Sequence, residues 1–138
     1  LSSSGFAQPE VWKCEVTYVN HFLRGREWND VADLAEILPS LPKPVHSDVM
    51  KSLEQIHFVQ TYALPGDIGH LLFQLHPVMG SDGEEIMQLA ITAVGKPTGN
   101  SAADILGWLD LGRHAVVQGF TDFTSPTTQT AIWERTWP

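Results

Sequence analysis

The run QIHFVQTYALPGDIGHLLFQLHPVMGSDGEEIMQLAITAVGKP, residues 55–97, constrains this chain more than any other. Three stretches, 55–64, 69–76 and 85–95, are rich in β-branched and aromatic residues, which suit a pleated surface. Only PGDIG and MGSDGE separate them, and both are glycine-bearing turn signals. Connections this short leave no room for a crossover, so the three segments are predicted to be antiparallel neighbours. In the last of them Met87, Leu89, Ile91 and Ala93 share one face. Ile86, Gln88, Ala90 and Thr92 share the other, which is mild enough for something to cover part of it.

A fourth strand is predicted upstream. In CEVTYVNHF, residues 14–22, the side chains of Cys14, Val16 and Tyr18 point one way and those of Glu15, Thr17 and Val19 the other. Asn29 or Asp30 then caps a short helix with Val31, Leu34, Ala35 and Leu38 on its apolar side, stopped by Pro39, Pro42 and Pro44. A further helical turn with Ser47 as cap is expected in PVHSDVMKSLEQ. The strongest helix is NSAADILGWLDLGRHAVVQGFTDFT, where Ser101 and Asp104 form a capping pair. Ile105, Leu109, Gly112, Val116, Gly119 or Phe120, and Phe123 recur along it at helical spacing, with Trp108, Leu111 and Ala115 as a second stripe. Three glycines inside a helix cost about 1 kcal/mol each relative to alanine, so close approach of the helix to the sheet is expected. Ser125 and Pro126 restart a helix that carries Trp133 and Trp137. The expected fold class is α+β: an antiparallel sheet of about four strands in β-α-β-β-β-α order, with a long C-terminal helix packed across one face.

At 138 residues this is one domain's worth of chain, and 43% apolar against 17% charged residues is a globular balance. Residues 1–12 read as a linker, a tag remnant or the cut end of a longer chain, and 13–138 as a single domain. The net charge of −8 works against a phosphate backbone, and apart from Arg24 and Arg26 the basic residues are scattered, so no nucleic-acid partner is expected. No apolar run is long enough to span a bilayer, so no membrane partner is expected either.

The chemistry-bearing residues form no recognised motif. The histidines at 21, 46, 57, 70, 76 and 114 contain no HExxH, and the single cysteine, Cys14, excludes a cysteine-rich zinc site and an internal disulfide. Neither a metal nor a cofactor is expected, and no catalytic residue is assigned. His57 and His70 fall on strands that should pair, so a site across the sheet is the one metal arrangement to weigh. Asp110 and His114 lie four apart on a helix and can touch; a solvated pair is the ordinary reading and a catalytic dyad the sharper one. Glu15, Tyr18, Asn20 and His21 could cluster at a strand end, but alternation sends Glu15 and His21 to the face opposite Tyr18 and Asn20. Tyr18 and Asn20 are expected to tie the strand end down through buried hydrogen bonds. Cys14, on the apolar strand face, reads as buried and inert. PGDIGH and MGSDGE lack phosphate-loop spacing and are turns.

CEVTYVNHF followed by VADLAEILP, and then WLDLGRHAVVQGFTDFTSPTTQTAIWER, resemble a sporadically distributed bacterial family of uncharacterised proteins. The resemblance covers the whole chain in order. It implies that the chain is the C-terminal half of a longer protein whose other half has a similar strand and helix order, and that its setting is the bacterial cytoplasm. It implies no activity, cofactor or catalytic residue.

Three functional expectations follow. The first is a non-catalytic interaction module that docks to a second similar half, to a copy of itself or to a partner protein; five tryptophans and the mild sheet face support it. Tyr18, Asn20, His21, Trp108 and His114 are its interface or ligand candidates. The second is a small-molecule binding domain of helix-grip or two-repeat cleft type. The third, the least supported, is a hydrolase-like enzyme using the sheet histidines.

Overall fold

The computed structural model describes residues 13–124. Four strands, β1 (Cys14–Leu23), β2 (Phe58–Ala63), β3 (Gly69–Met79) and β4 (Glu85–Gly95), form one antiparallel sheet in the order β1-β4-β3-β2. A 3-10 turn (Val31–Asp33) runs into the short helix α1 (Leu34–Ile37), and the long helix α2 spans Ala102–Phe123. This is the α+β architecture expected from the sequence, with α2 packed on one face of the sheet. The linker at 1–12 and the helix expected after Ser125, with Trp133 and Trp137, lie outside the described residues.

Both turn signals work as hairpin connections. At PGDIG the chain reverses through Gly66 and Asp67, both at positive φ (75° and 54°). Gly69 and Gly95 then let two backbones meet: a Cβ on Gly69 would strike the carbonyl oxygen of Val94, and one on Gly95 that of Ile68. β3 continues to Met79 through Pro77, three residues past the expected end. Pro77 is tolerated because β2 pairs with β3 only from Leu75 back to His70, so at Pro77 β4 is the one neighbouring strand among the described residues.

The core draws on a single sheet face. Leu89 and Ile91 are fully buried, with Met87, Ala93, Leu71, Phe73, Leu75 and Phe22 around them. Helix α2 packs on this face, against β1, β4 and β3. Near its start Trp108 is buried and its Nε1–H donates to Ile68 O (2.8 Å). Farther along, Phe120 meets Tyr18 edge to face (centroids 5.4 Å) and Phe123 stacks on Phe73 (4.6 Å). Gly112 packs under Trp108 and against Val16, and Gly119 against Leu71 and Phe73. Ser101 caps the helix, its Oγ accepting from Asp104 N–H (3.1 Å). Leu111, expected to widen the apolar face with Trp108 and Ala115, is about half exposed instead, whereas Ala115 does pack against the core.

The other end of the face is covered by α1 and its flanks, which bury Leu34, Leu38 and Leu41 beside Trp28. The Asp33 carboxylate accepts the N–H groups of Asp30 (2.9 Å) and Asn29 (3.0 Å). These bonds hold it below the usual carboxylate range, Asp30 first and Asn29 second. The turn expected at Ser47 does form, with Ser47 Oγ accepting from Met50 N–H (3.0 Å) and Val49 N–H (3.2 Å), but it does not grow into a helix. Val45, Val49 and Met50 are all exposed, so no packed face repays the cost of nucleation.

Candidate functional site

The five candidate residues do not converge. Tyr18 and Asn20 lie on the core face of β1, and His21 lies on the opposite face. Trp108 is a core residue, only 3% exposed. His114 is exposed on α2. Asn20 is 6% exposed, and its Nδ2 has no hydrogen-bond partner among the described residues, so the expected buried tie is not made through that atom. His21 Nε2 bonds Gln88 Oε1 (2.9 Å).

The histidine and acid pairs weighed from the sequence are also apart. Asp110 pairs with Arg113 (3.1 Å), not with His114. His70 stands opposite Ala63, so it and His57 are not cross-strand partners. Among the described residues no three His, Cys, Asp or Glu side chains gather in a way that could hold a metal ion. Cys14 is buried.

Two grooves remain. One, about 320 Å³, lies between residues 54–56 and the ends of β3 and β4, with Arg24 and Trp28 in its wall. Arg24 is ion-paired with Glu85, and its guanidinium sits 5.6 Å from the Trp28 ring centroid. The Glu85 hydrogen bond, and then the Glu85 charge, raise the Arg24 pKa above its ordinary value. The other, about 270 Å³, lies between the end of α2 and strands β2 and β3, walled by Tyr62, Phe73 and Phe123. Neither collects His57, His70, Asp110 or His114.

Two surfaces of the sheet stand out. The face turned away from α2 contributes nothing to the core cluster. Its strand residues include Thr17, Val19, His21, Leu72, Gln74, His76, Gln88, Ala90 and Thr92, and Glu15 is its only formal charge. Thr17 and Thr92 bond hydroxyl to hydroxyl across it (3.1 Å).

The second surface is the edge of β1 that faces away from β4. The strand pairs with β4 residue for residue through all ten positions, so it has no bulge. It also lacks proline and glycine and carries one formal charge. Among the described residues β4 is its only strand neighbour. Natural edges are usually short, bulged or charged; β1 is none of these, whereas the opposite edge, β2, is only six residues long.

The outward-pointing backbone groups of β1 can be assigned. Arg24 N–H donates to Glu85 O (3.0 Å), extending the ladder one pair beyond Leu23 and Ile86. Alternation in an antiparallel ladder then turns the even-numbered residues of β1 toward β4 and the odd-numbered ones outward. Leu23 confirms the phase, since its N–H donates to Glu27 Oε2 (2.9 Å) and its carbonyl accepts from Arg26 and Glu27 N–H (both 3.1 Å). The N–H and C=O groups of Glu15, Thr17, Val19 and His21 therefore point away from the sheet. Sequence alone could not show this, because the partner that fixes the phase lies some seventy residues away (Thr17 opposite Thr92).

No helix among the described residues is long and apolar enough to cross a membrane. Comparison with protein-family models, curated proteins and solved structures finds no match to this chain.

Proposed function

We propose that this chain is a non-catalytic interaction module that docks by strand addition along β1, either to the second α+β half that its sequence resemblance implies or to a copy of itself. The observation that carries the reading is the long, regular edge of β1, which presents a row of backbone donors and acceptors suited to another strand. The scattering of the candidate polar residues supports a docking role over catalysis. The resemblance also underlies the setting proposed for it, the bacterial cytoplasm.

Sedimentation of the 138-residue chain tests the reading. A dimer should form on concentration to about 100 μM, since a sheet edge this long is a template for association. Val19→Pro should abolish it without unfolding the chain, because the Val19 N–H points outward and is not part of the β1–β4 ladder. A well-folded, strictly monomeric wild-type chain that also ignores an added N-terminal half would overturn the proposal.

A second reading, small-molecule binding, has one specific observation behind it: the aromatic groove between α2 and β2–β3. Saturable quenching or shifting of Tyr62 signals by a small aromatic ligand, lost in Gly119→Leu, would favour it over docking.

A further inference from the structure

We infer that residues 47–56 are a strap that closes as an amphipathic helix over the groove at the ends of β3 and β4. The structure holds its open form. Neither the β1 edge nor a second copy takes part. Three observations point to closure.

The first is a helix cap without its helix. Ser47 Oγ accepts from Val49 N–H (3.2 Å) and Met50 N–H (3.0 Å), the two amides that an N-cap serine satisfies. Asp48 follows at the first helical position, where an acid suits the helix dipole, and it pairs with Lys51 (3.9 Å) at helical spacing. Val49, Leu53 and Ile56 recur at helical spacing with Met50 beside them, whereas Lys51, Glu54 and Gln55 fall elsewhere around the same helix. In the open form residues 50–57 belong to no regular element. The second observation is what this leaves in water: Val49 is 89% exposed, and Met50 and Leu53 are exposed as well.

The third is the groove of about 320 Å³ beside it, walled by Val78, Met79 and Ile86 from the sheet and by Glu54, Gln55 and Ile56 from the strap itself. β2 stops pairing at Phe58, opposite Leu75, so residues 54–56 run beyond the ladder as the far wall. Ile56 is already packed against the core and gives a helix one fixed end. Winding the chain back from it sets Leu53 on the same side, about 4.5 Å along the axis, and turns the polar Glu54 and Gln55 out of the groove. Leu53 and Val49 then cover the exposed Met79. A helix this short persists only where a surface repays nucleation, and the groove supplies that surface. Closure breaks one bond of the open form, from Ser47 N–H to Met50 O (3.1 Å). In the helix that carbonyl accepts instead from Glu54 N–H.

NMR of the folded 138-residue chain tests this through Cα shifts and amide exchange at residues 49–56. The wild-type shifts should lie toward helix, and the amides of Ser52–Ile56 should exchange at least about fivefold more slowly than in an unstructured chain. Ser47→Ala removes the cap and should lower the helical population about fivefold. Leu53→Gln should lower it about tenfold, because glutamine matches leucine in helix propensity but not in the gain from burial. Met79→Gln should also lower it although Met79 lies outside the strap, and the fold should survive because Met79 is 69% exposed in the open form. Coil shifts with unprotected amides in the wild type would overturn the strap. So would a helix indifferent to both Leu53→Gln and Met79→Gln, since it would then form without the groove. Neither result touches the docking role of β1, which self-association tests separately.

Discussion

Replacing Gly112 by alanine tests the helix–sheet contact most sharply, because two opposing effects of known size meet there. Alanine in place of glycine inside a helix gains about 1 kcal/mol from propensity and from the lost entropy of the unfolded chain. At Gly112 the new methyl would sit 2.9 Å from Cζ3 of Trp108 and 3.2 Å from Cγ2 of Val16. Neither neighbour yields easily. The Trp108 ring is buried, pinned by its bond to Ile68 O, and packed closely over Gly95. Val16 is fixed to a strand paired along its whole length. Overpacking at such a site costs about 1–3 kcal/mol. The net expectation is a loss of about 1 kcal/mol or more. Gly107, on the same helix, has nothing within 4 Å of where its Cβ would lie. There only the favourable effect operates, and Gly107→Ala should stabilise by about 0.5–1 kcal/mol. Urea melts of the two variants and the wild type, at one protein concentration, read the difference. Equal stabilisation by both substitutions would show that α2 does not approach the sheet as closely as described.

Two further predictions concern the rest of the framework. Leu89→Ala should destabilise by about 2–5 kcal/mol in the same melts, because Leu89 is fully buried at the centre of the core face and its loss leaves a cavity. The Asp33 carboxylate, held low by the N–H groups of Asp30 and Asn29, stabilises the fold above the pKa an unfolded Asp would have, and that contribution disappears as pH falls through its lowered folded value. An NMR titration should place Asp33 below the ordinary aspartate range, and an ordinary value there would mean that the cap is not formed.

Much of this architecture was legible in the sequence because it is local. Period-two alternation located β1 and β4, strand-forming residues flanking the turn signals located β2 and β3, and the short glycine turns made β2, β3 and β4 antiparallel neighbours. Helical spacing and the Ser101 cap located α2, and the buried positions Gly112, Val116, Gly119, Phe120 and Phe123 follow the stripe read from it. Ser47 shows the limit of such signals. Its side chain caps a turn as local chemistry dictates, yet no helix follows, because whether a short helix persists depends on a surface to pack against. Pro77 shows the converse: a residue that locally forbids a central strand is accepted where the sheet has already lost a neighbour.

The candidate site was less legible for a related reason. The sequence by itself determined that Glu15 and His21 share one face of β1 while Tyr18 and Asn20 share the other, since strand geometry alternates without reference to anything distant. It could not determine that β1 is an edge, that β4 and not β2 lies beside it, or which of its backbone groups turn outward. Those depend on the pairing of Cys14–Leu23 with residues 86–95 and on the Arg24–Glu85 bond that sets its phase. Such pairing is chosen by the burial of a whole shared face, Phe22 with Met87 and Tyr18 with Ile91, and that burial exists only once the chain has closed on itself.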